Sequence, residues 1–452
     1  MKSYDLIVIG AGPGGYEAAF EASDLGMKTA LVEKENLGGT CLNHGCIPTK
    51  SLLHAAELYR SLQEAGAFGI DARAPLPDMN RMQDRKNESV LQLRGGIEAT
   101  AKKKKIDLIR GTAVLEKNRT VSVKTENGQE LLEGKYILLA TGSRPIVPNI
   151  PGMDLPGVMT SDELLESRRE LQRLFIVGGG VIGVEFAFLY ASLGTRVTIV
   201  EAMPQFLPNL DREIAQSLKM LLKKRGVNIL TSARLEKITK NEDGSLHCLY
   251  EGDQALDTDA VLVSIGRRAC TDGLFAPGVE VEMNRGQILV SPQWETSLKD
   301  VYAIGDVTGG VMLAHAATAA GRNAVRHMAG MPECADMRFI PSCVYTQPEI
   351  ACVGMTMDEA KAAGISAESH KALMTANGRT VLTGAERGYI RVVSEKESGR
   401  LLGAQMMCER ASDMISEFAL ALSAGLTVKE MERAIRPHPT FCEAITEALR
   451  QS

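Results

Sequence analysis

Two stretches of the chain share one order of apolar and polar positions. Each opens with consecutive apolar residues before a glycine turn, LIVIG at 6–10 and LFIVG at 174–178. A segment of helical length follows, and a second apolar run, TALVE at 29–33 or VTIVE at 197–201, ends in an acidic residue. Continuous apolar runs bounded by turns are typical of strands buried in parallel sheets. The pattern predicts two strand–helix–strand units.

Each unit is followed by a strand that would return the chain to its sheet, in YILLATGSRP at 136–145 and AVLVSIGRR at 260–268. Apolar alternation between Gly111 and Gly134 predicts a small β insertion. The proline-rich stretch 144–157 indicates a connection between domains, because proline is rigid and lacks an N–H donor.

The pattern changes beyond about Pro341. Short β-rich segments at 388–395 and 401–407 precede an apolar-periodic helix at 412–425, and a terminal helix is expected from about Thr440. The chain is therefore predicted to be α/β, with two nucleotide-binding domains of Rossmann type and a C-terminal α+β domain.

The glycines of both turns have the spacing G-x-G-x-x-G. The matched residues, each pair 168 positions apart, are Gly10 and Gly178, Gly12 and Gly180, Gly15 and Gly183, and the acidic Glu33 and Glu201. The first glycine forms a tight turn, the second lets backbone approach a pyrophosphate, and the third lets the helix pack on the strand. The acidic residue accepts hydrogen bonds from a ribose hydroxyl. Two dinucleotide sites are predicted.

Glu201 also bears on the nucleotide that the second site prefers. Its carboxylate would repel a 2′-phosphate, and the local sequence VEAMPQF at 200–206 offers no arginine to bind one. We therefore expect NAD(H) rather than NADP(H).

Composition limits the class of protein. The chain has 452 residues, 44% hydrophobic and 24% charged, and a net charge of -5. This profile is ordinary for several α/β domains, and the negative charge weighs against nucleic acid as a partner. No apolar run reaches the about 18 residues of a membrane span, and the N-terminus lacks a signal-peptide pattern. We expect a cytoplasmic protein with no membrane partner, and no metal site.

Two of the nine cysteines stand in an unusual segment, GGTCLNHGCIPTK at 38–50. The seven others are isolated and are interpreted as buried or incidental thiols: Cys248, Cys270, Cys334, Cys343, Cys352, Cys408 and Cys442. Cys41 and Cys46 could form a structural disulfide, be inert thiols, or form a redox centre. Residues five apart on a helix are separated by about 7.5 Å of rise, more than the roughly 4.4–6.8 Å between disulfide Cα atoms. A bridge therefore needs a distorted turn, which Gly45 permits.

The surroundings of the pair favour redox chemistry. Pro48 suits the first turn of a helix, and both that helix N-terminus and Lys50 would favour a thiolate at Cys46. A structural bridge closing so short a loop has little purpose in a reducing compartment. The neighbouring dinucleotide site, in contrast, would supply an electron acceptor.

The segment resembles the active-site signature of the flavin-dependent pyridine nucleotide–disulfide oxidoreductases, and its form CLNxGCIPxK is most similar to that of the dihydrolipoamide dehydrogenases. ATGSRP, AIGD at 303–306 and HPTFCE at 438–443 follow in order, so the resemblance covers essentially the whole chain. It implies an FAD domain in two parts, 1–147 and 269–338, an inserted NAD domain, 148–268, and a dimerisation domain, 339–452.

The resemblance also assigns site residues. FAD would be held by Gly10, Gly12, Gly15, Glu33, Gly39, Thr40, Lys50, Ala113, Thr141, Gly142, Asp306 and Ala314, with Asp306 at the ribityl chain. NAD(H) would be held by Gly178, Gly180, Gly183, Glu201 and Gly266. Lys50, paired with Glu185, would lie near the reactive flavin nitrogen. Cys41 would face the substrate and Cys46 the flavin.

His438 would be the acid–base residue, reaching the cysteines of a second subunit with Glu443 orienting it. Histidine exchanges protons near neutral pH, which suits the task. Thr440 to Glu443 also spells a capping box before an apolar run, so Glu443 has a second possible role at the terminal helix.

The implied reaction oxidises dihydrolipoamide on a carrier protein or domain of a 2-oxo acid dehydrogenase or glycine cleavage system, and reduces NAD+. The implied assembly is a homodimer with shared active sites. One alternative is a disulfide reductase similar to glutathione reductase, which Glu201 disfavours. A mercuric reductase is disfavoured because no cysteine pair ends the chain. Another alternative is a non-catalytic flavoprotein redox sensor, which the joint presence of Cys41, Cys46, Lys50 and His438 disfavours.

Three places depart from the family pattern. Ala269 and Cys270 stand where Pro-Asn is common, Arg436 stands where many relatives have a histidine, and His44 replaces an apolar residue. The side chain of His44 either faces outward or tunes the thiol pair.

Overall fold

The computed structural model describes residues 1–72, 76–208, 210–386 and 388–450. Its strands in these ranges are β1 (Lys2–Ile9), β2 (Thr29–Glu33), β3 (Asp107–Arg110), β4 (Thr112–Leu115), β5 (Thr120–Thr125), β6 (Gly128–Leu139), β7 (Ser143–Pro145), β8 (Val158–Thr160), β9 (Arg173–Val177), β10 (Arg196–Glu201), β11 (Asn228–Thr231), β12 (Leu235–Lys240), β13 (Leu246–Tyr250), β14 (Gln254–Thr258), β15 (Ala260–Val263), β16 (Arg267–Ala269), β17 (Met283–Asn284), β18 (Gln287–Ile288), β19 (Val301–Ala303), β20 (Ser342–Val344), β21 (Glu349–Gly354), β22 (Ala367–Leu373), β23 (Tyr389–Glu395) and β24 (Leu401–Cys408).

The α-helices of the same ranges are α1 (Pro13–Asp24), α2 (Gly39–His44), α3 (Cys46–Glu64), α4 (Met79–Lys103), α5 (Ser161–Glu166), α6 (Val181–Ser192), α7 (Arg212–Lys224), α8 (Ala314–Met328), α9 (Met357–Ala362), α10 (Gly378–Thr383), α11 (Ala411–Ser423), α12 (Val428–Glu432) and α13 (Glu443–Arg450). Both predicted strand–helix–strand units are present, as β1–α1–β2 and β9–α6–β10.

The chain divides into two compact units. Unit 1 contains Met1–Gly178, Ser192–Arg196 and Arg234–Ala335, and unit 2 contains Gly179–Ala191, Val197–Ala233 and Asp336–Ser452. The four domain ranges expected from the sequence stay a prediction.

A parallel sheet of order β3-β2-β1-β6 forms the centre of unit 1, with β19 also parallel to β6. The first half of β6 pairs antiparallel with β5, and β5 pairs with β4, which confirms the small β insertion. Fully buried side chains such as Ile7, Leu139 and Val121 form the core shared by these strands.

Two glycines bring α1 and α8 unusually close in unit 1. A Cβ on Gly14 would lie 2.9 Å from the carbonyl oxygen of Ala317, and one on Gly321 would lie 2.5 Å from the carbonyl oxygen of Gly14. The backbones of the two helices can therefore touch, which fixes α1 behind the first glycine turn.

The returning strands β6 and β15 each end before a glycine, as expected. Beyond them, β7 and β16 form a separate antiparallel ladder in which Arg268 lies opposite Arg144. Unit 1 also contains β15 between the parallel strands β8 and β9, and an antiparallel meander of β12, β13 and β14.

Unit 2 contains the parallel pair β10 and β11 and an antiparallel sheet of order β20-β21-β24-β23-β22. Helices α11 and α13 pack against this sheet, with Phe418 and Ile445 buried on Ile390 and Met406. The strands and helices predicted beyond Pro341 are confirmed.

Candidate active site

The first glycine turn joins β1 to α1 and excludes larger side chains. Gly10 has φ +101, and a Cβ there would lie 2.4 Å from the carbonyl oxygen of Ala140. A Cβ on Gly15 would lie 1.9 Å from the Gly10 carbonyl oxygen. At Gly12, in contrast, the nearest described atom to an added Cβ is the Cα of Gly39, 3.9 Å away. Room is therefore left at the N-terminus of α1, where unpaired N–H groups and the helix dipole favour an anion.

The carboxylate of Glu33, at the end of β2, is fixed beside this turn. Its Oε2 accepts a hydrogen bond from the N–H of Ala11 at 2.7 Å, and its Oε1 accepts one from the N–H of Glu35 at 2.8 Å. Each oxygen can accept a further bond. The carboxylate is therefore oriented as an acceptor for a ribose hydroxyl.

The cysteine segment is attached directly to the first turn. The N–H of Gly38 donates to the carbonyl of Ala11 at 2.8 Å. Gly38 and Gly39 have φ +96 and +56, and a Cβ on Gly39 would lie 2.5 Å from the Cα of Gly12. Only glycine permits so close a backbone approach. The start of the cysteine segment therefore lies against the first glycine turn.

Cys41 lies in α2, and Cys46 is the first residue of α3, whose first turn contains Pro48 as predicted. Gly45 separates them, and a Cβ there would lie 3.0 Å from the carbonyl oxygen of Thr40. Both cysteines are free thiols. A hydrogen bond with Cys46 and burial raise the pKa of the Cys41 thiol far above its usual range, against the opposing effect of the Lys50 cation. The two thiols are therefore in direct contact, and the pair lies within the electrostatic influence of Lys50.

A polar cluster surrounds Asp306 in unit 1. Ser143 Oγ donates to the Asp306 carboxylate and accepts from Arg267 Nε at 2.8 Å. Arg267 Nη2 also donates to the Ser143 carbonyl at 2.8 Å and to Thr40 Oγ1 at 3.5 Å. Ser143 and Arg267 were missed by the sequence reasoning, although each follows a recognised strand-and-glycine segment.

The other residues expected at FAD lie elsewhere in unit 1. Thr141 Oγ1 donates to the carbonyl of Cys270 at 2.7 Å, and the N–H of Cys270 donates to the carbonyl of Gly142 at 2.9 Å. Cys270, which departs from the family pattern, therefore contacts Thr141 and Gly142 through its backbone. Ala314 begins α8, and Ala113 is buried in β4. The room at Gly12, the helix N-terminus and the oriented carboxylate of Glu33 fit the FAD that the family pattern implies.

The second glycine turn repeats the geometry of the first. Gly178 has φ +109, and a Cβ there would lie 2.5 Å from the carbonyl oxygen of Ser264. Glu201 Oε2 accepts from the N–H of Gly179 at 2.7 Å, and Oε1 accepts from the N–H of Met203 at 2.7 Å. These bonds have the same sequence offsets as the bonds of Glu33.

The second turn has more room than the first. A Cβ added at Gly180 would meet no described atom within 4 Å. Gly183 is buried in α6, and Gly266 has φ +124, a conformation that favours glycine. The space at Gly180 and the oriented Glu201 fit a dinucleotide such as NAD.

Glu185 is a buried charge in unit 2. Its side chain is 4% exposed, and its Oε1 accepts from the N–H of Tyr345 at 3.1 Å. A buried carboxylate requires such partners because desolvation of an ion is costly. Lys50 lies half-buried on α3 of unit 1. Its pairing with Glu185 stays a prediction.

His438 and Glu443 are in contact. His438 Nδ1 lies 2.9 Å from Glu443 Oε1, while Glu443 Oε2 accepts from the N–H of Thr440 at 2.9 Å. The Thr440 N–H and His438 together lower the pKa of the Glu443 carboxyl. The side chain of His438 is 78% exposed. The histidine is therefore oriented by a carboxylate while most of its surface stays open to another molecule.

Only part of the expected capping box is formed in the described chain. Glu443 accepts from Thr440 N–H, but the Thr440 hydroxyl donates to the carbonyl of Pro437 at 2.7 Å. Glu443 therefore takes both roles that the sequence left open, because it contacts His438 and accepts the capping bond from Thr440 N–H.

Arg436, which replaces a histidine of many relatives, supports the same segment. Its side chain is buried, forms an ion pair with Glu417, and donates from Nη1 to Thr446 Oγ1 at 2.9 Å. His44, the other unusual residue near the site, is half-buried on α2. Its role stays a prediction.

Of the seven cysteines outside the pair, Cys248 and Cys408 are buried and Cys334 is exposed. Over the described ranges, His, Cys, Asp and Glu residues form no group of three or more suited to a metal ion. A search of the same ranges finds no helix with the length and apolar character of a membrane span.

Two family models match the chain in succession. The model for pyridine nucleotide-disulphide oxidoreductases matches residues 4–321, and the model for the dimerisation domain of the same family matches residues 340–449. A dihydrolipoyl dehydrogenase of Bacillus subtilis is 40% identical over 98% of this chain and 97% of its own length. One from Geobacillus stearothermophilus is 38% identical over 98% of this chain and 95% of its own length.

Solved structures agree with this assignment. The flavoprotein disulfide reductase RclA of Escherichia coli, described as HOCl-induced and solved as a Cu(II) complex, is 31% identical, covers 100% of both chains and has a TM-score of 0.90. LpdA of Mycobacterium tuberculosis is 25% identical, with a TM-score of 0.93 over 100% of this chain and 99% of its own.

These matches confirm the predicted fold class, the dimerisation domain and the cofactors FAD and NAD, which the family uses. The dimerisation domain also supports the predicted homodimer. The fingerprints, the cysteine segment and both family models agree, and the chain belongs to the pyridine nucleotide-disulphide oxidoreductases.

Proposed function

We propose that this chain is a dihydrolipoyl dehydrogenase, which oxidises protein-bound dihydrolipoamide and reduces NAD+. The observation that carries the proposal is the attachment of the Cys41 segment to the first nucleotide turn, through the bond from Gly38 N–H to the Ala11 carbonyl at 2.8 Å. A substrate dithiol and a bound flavin can then meet at opposite ends of one cysteine pair. The 40% identity to the Bacillus subtilis enzyme supports the same substrate class.

The cysteine pair accepts two electrons from the substrate. In the oxidised enzyme, a substrate thiolate attacks Cys41, so that a mixed disulfide forms and the Cys41–Cys46 bond breaks with Cys46 leaving as a thiolate. The second substrate thiolate then attacks the mixed disulfide, which closes the lipoyl ring and releases Cys41. The substrate has lost two electrons and two protons, and the cysteines hold both electrons.

His438 of a second copy of the chain removes the substrate protons in turn. Glu443 holds the imidazole through Nδ1 at 2.9 Å, which leaves Nε2 as the atom that exchanges protons. The high pKa of the Cys41 thiol suits a group that is protonated when the oxidised lipoyl product leaves.

The cofactors complete electron transfer. When bound, FAD would supply the two-electron acceptor for the reduced cysteines, and NAD+ would supply the final hydride acceptor. The FAD residues proposed from the family pattern centre on Gly12, Glu33 and Asp306, and the NAD residues on Gly180 and Glu201. Lys50 and Glu185 are proposed to pair beside the flavin.

Partner, assembly and location follow from this role. The substrate is a lipoyl-bearing protein or domain of a 2-oxo acid dehydrogenase or glycine cleavage system, and the compartment is the cytoplasm. Each active site uses the cysteines of one subunit and His438 of the other. We propose that FAD binds 1–147 with 269–338, NAD binds 148–268, and 339–452 forms the dimer contact.

A reductase of other disulfides is the second candidate, because RclA is 31% identical over the full chain. The first candidate oxidises a dithiol and reduces NAD+, whereas the second reduces a disulfide at the expense of NADPH. Glu201, which accepts two backbone N–H bonds and carries a negative charge, favours NAD+ over a 2′-phosphorylated nucleotide.

The proposal is tested with purified flavin-loaded protein, dihydrolipoamide, and either NAD+ or NADP+. We expect NADH formation with NAD+ and at least about a hundredfold lower kcat/KM with NADP+, a difference of roughly 2.8 kcal/mol in transition-state binding. Cys41→Ser should abolish turnover with flavin retained. Cys334→Ser, which alters an exposed cysteine outside the site, is the matched control.

Absence of NADH, together with efficient NADPH-driven reduction of a different disulfide, would replace the main proposal by the second candidate. Binding of both nucleotides without turnover of any disulfide would instead support the redox sensor. Full activity of Cys41→Ser would remove the cysteine mechanism.

A further inference from the structure

Asn43 lies between the two cysteines and is almost fully buried, with 6% of its surface exposed. Its Nδ2 donates to the carbonyl of Leu37 at 3.0 Å and to the carbonyl of Gly39 at 2.9 Å. These two carbonyls flank the left-handed backbone that begins α2. One amide group therefore holds the start of the turn that carries Cys41.

These bonds fix which way the amide points. Both N–H groups of Asn43 are used by carbonyls, so its Oδ1 faces away from them and needs a donor of its own. Arg94 supplies it: Nη2 of Arg94 lies 2.6 Å from Asn43 Oδ1. A hydrogen bond from a cation is stronger than one between neutral groups.

Arg94 comes from a distant part of the chain. It lies on α4, 51 residues from Asn43 in sequence. Its Nε is buried and has no hydrogen-bond partner among the described residues. Part of the guanidinium is therefore withdrawn from water where it contacts Asn43 of the cysteine segment. The low local dielectric at such a place strengthens a charge-assisted hydrogen bond.

We propose that Arg94 is a positioning residue for the redox pair, acting through the buried amide of Asn43 to fix the start of α2, the helix that carries Cys41. The inference rests on the proposed redox role of the pair. Dithiol and disulfide require different separations of the two sulfur atoms, so a support that holds one turn geometry biases the equilibrium between them. Arg94 need not touch substrate or cofactor.

The chain offers two matched controls on the same helix. Arg85, an exposed residue paired with Glu88, controls for the loss of one positive charge from α4. Lys86 is fully buried, and its Nζ donates to the Leu165 carbonyl at 2.9 Å and to Glu166 Oε1 at 2.8 Å. Lys86→Met therefore removes buried polar bonds of α4 without touching Asn43.

The experiment compares flavin-loaded wild type, Arg94→Met, Asn43→Leu, their double variant and both controls. Two quantities are measured per bound flavin: the thiolate–flavin absorbance of the reduced enzyme, and the ratio of dithiol to disulfide at a fixed dithiothreitol redox ratio. We expect Arg94→Met to change the ratio by at least about threefold, since only a difference in support between the two states shifts the equilibrium. The absorbance should also fall.

If Arg94 acts through Asn43, the absorbance and the dithiol-to-disulfide ratio of the double variant should differ from wild type no more than those of Asn43→Leu alone. Arg94→Lys, which restores a charged donor, should recover part of the absorbance. Arg85→Met and Lys86→Met should keep the wild-type absorbance and ratio, although Lys86→Met lowers thermal stability.

A ratio in Arg94→Met that differs less than about threefold from wild type, with unchanged absorbance, would overturn the inference. Additive effects in the double variant would do the same. If Arg94→Met does not retain flavin, the same two measurements are made on Arg94→Lys and Asn43→Leu. Wild-type absorbance and wild-type dithiol-to-disulfide ratio in both variants would overturn the role of Arg94. A wild type that forms the thiolate–flavin absorbance but makes no NADH from dihydrolipoamide would defeat the proposed function alone.

Discussion

The two nucleotide turns share one backbone design. Gly10 and Gly178 have φ +101 and +109, and an added Cβ would lie 2.4 and 2.5 Å from the carbonyl oxygens of Ala140 and Ser264, the residues that directly follow β6 and β15. Glu33 and Glu201 each accept two backbone N–H bonds at 2.7–2.8 Å from residues at the same offsets. The two copies of the fingerprint therefore have the same backbone geometry.

The turns differ in what lies against them. Gly39 of the cysteine segment packs on Gly12, with 2.5 Å between an added Cβ and the Gly12 Cα, whereas an added Cβ at Gly180 has no described neighbour within 4 Å. We call the first turn closed because the cysteine segment covers one side of it, although room for a phosphate remains at Gly12, and we call the second turn open. We expect a closed turn to suit a cofactor that stays bound, and an open turn to suit a nucleotide that exchanges at each cycle. The neighbourhood of the turn, more than the fingerprint itself, separates the two uses.

The largest test of this contrast compares Gly39→Ala with Gly180→Ala. Gly39→Ala forces a side chain into left-handed backbone and into Gly12, so we expect destabilisation by about 3 kcal/mol and loss of most bound flavin. Gly180→Ala meets no described atom, so folding and flavin content should be unchanged. Its KM for NAD+ should rise about tenfold, because the new methyl group occupies room needed by the pyrophosphate.

Flavin content from absorbance and thermal unfolding measure the first variant, and steady-state kinetics the second. Full flavin occupancy in Gly39→Ala, or loss of flavin in Gly180→Ala, would break the distinction between a closed and an open turn.

A second test exchanges each clamping carboxylate for an amide. Glutamine can accept only one of the two backbone N–H bonds well, and loss of one charge-assisted bond weakens binding by about 1.5–3 kcal/mol. We expect Glu33→Gln to weaken FAD and Glu201→Gln to weaken NAD+, each by roughly 10- to 100-fold and without effect on the other nucleotide. Titration of each nucleotide into each variant provides the measurement. Weaker NAD+ binding in Glu33→Gln, or weaker FAD binding in Glu201→Gln, would show that the two carboxylates do not act independently.

The smallest expected effect concerns two glycines that follow α1 and α6, where the two strand–helix–strand units should behave alike. Gly26 and Gly194, also 168 residues apart, have φ +80 and +93, with open space around an added Cβ. Alanine at either site should destabilise by about 1 kcal/mol through backbone strain alone. Thermal unfolding should give equal shifts for Gly26→Ala and Gly194→Ala, while KM and flavin content stay constant. Unequal shifts would indicate contributions that the local geometry does not contain.

Sequence predicted what depends on local spacing. The glycine turns, the acidic strand ends and the helix that begins at Cys46 all follow from periodicities within about 30 residues, because backbone geometry at these places is set by neighbours in sequence. The terminal α+β domain was recognised for the same reason.

Long-range polar contacts were beyond the sequence. Arg94 stands in a polar helix and looks like a surface residue until Asn43 comes within 2.6 Å, and Ser143 meets Asp306 across 163 residues. No local periodicity encodes such pairs. The position of Asn43 inside the cysteine motif was the one available hint.

Glu443 illustrates a different limit. The sequence suggested two competing roles, orientation of His438 or capping of α13. A carboxylate has two oxygens, and the structure uses one for His438 and the other for Thr440 N–H. The apparent choice came from treating the side chain as a single acceptor.

The bond between Gly38 N–H and the Ala11 carbonyl makes the redox segment and the flavin turn parts of one equilibrium. By reciprocity of linkage, any free energy that flavin binding gains from an ordered cysteine segment is gained equally by the segment when flavin binds. We therefore expect cofactor loss to increase the reaction of Cys41 and Cys46 with alkylating or oxidising agents, and flavin addition to slow that reaction.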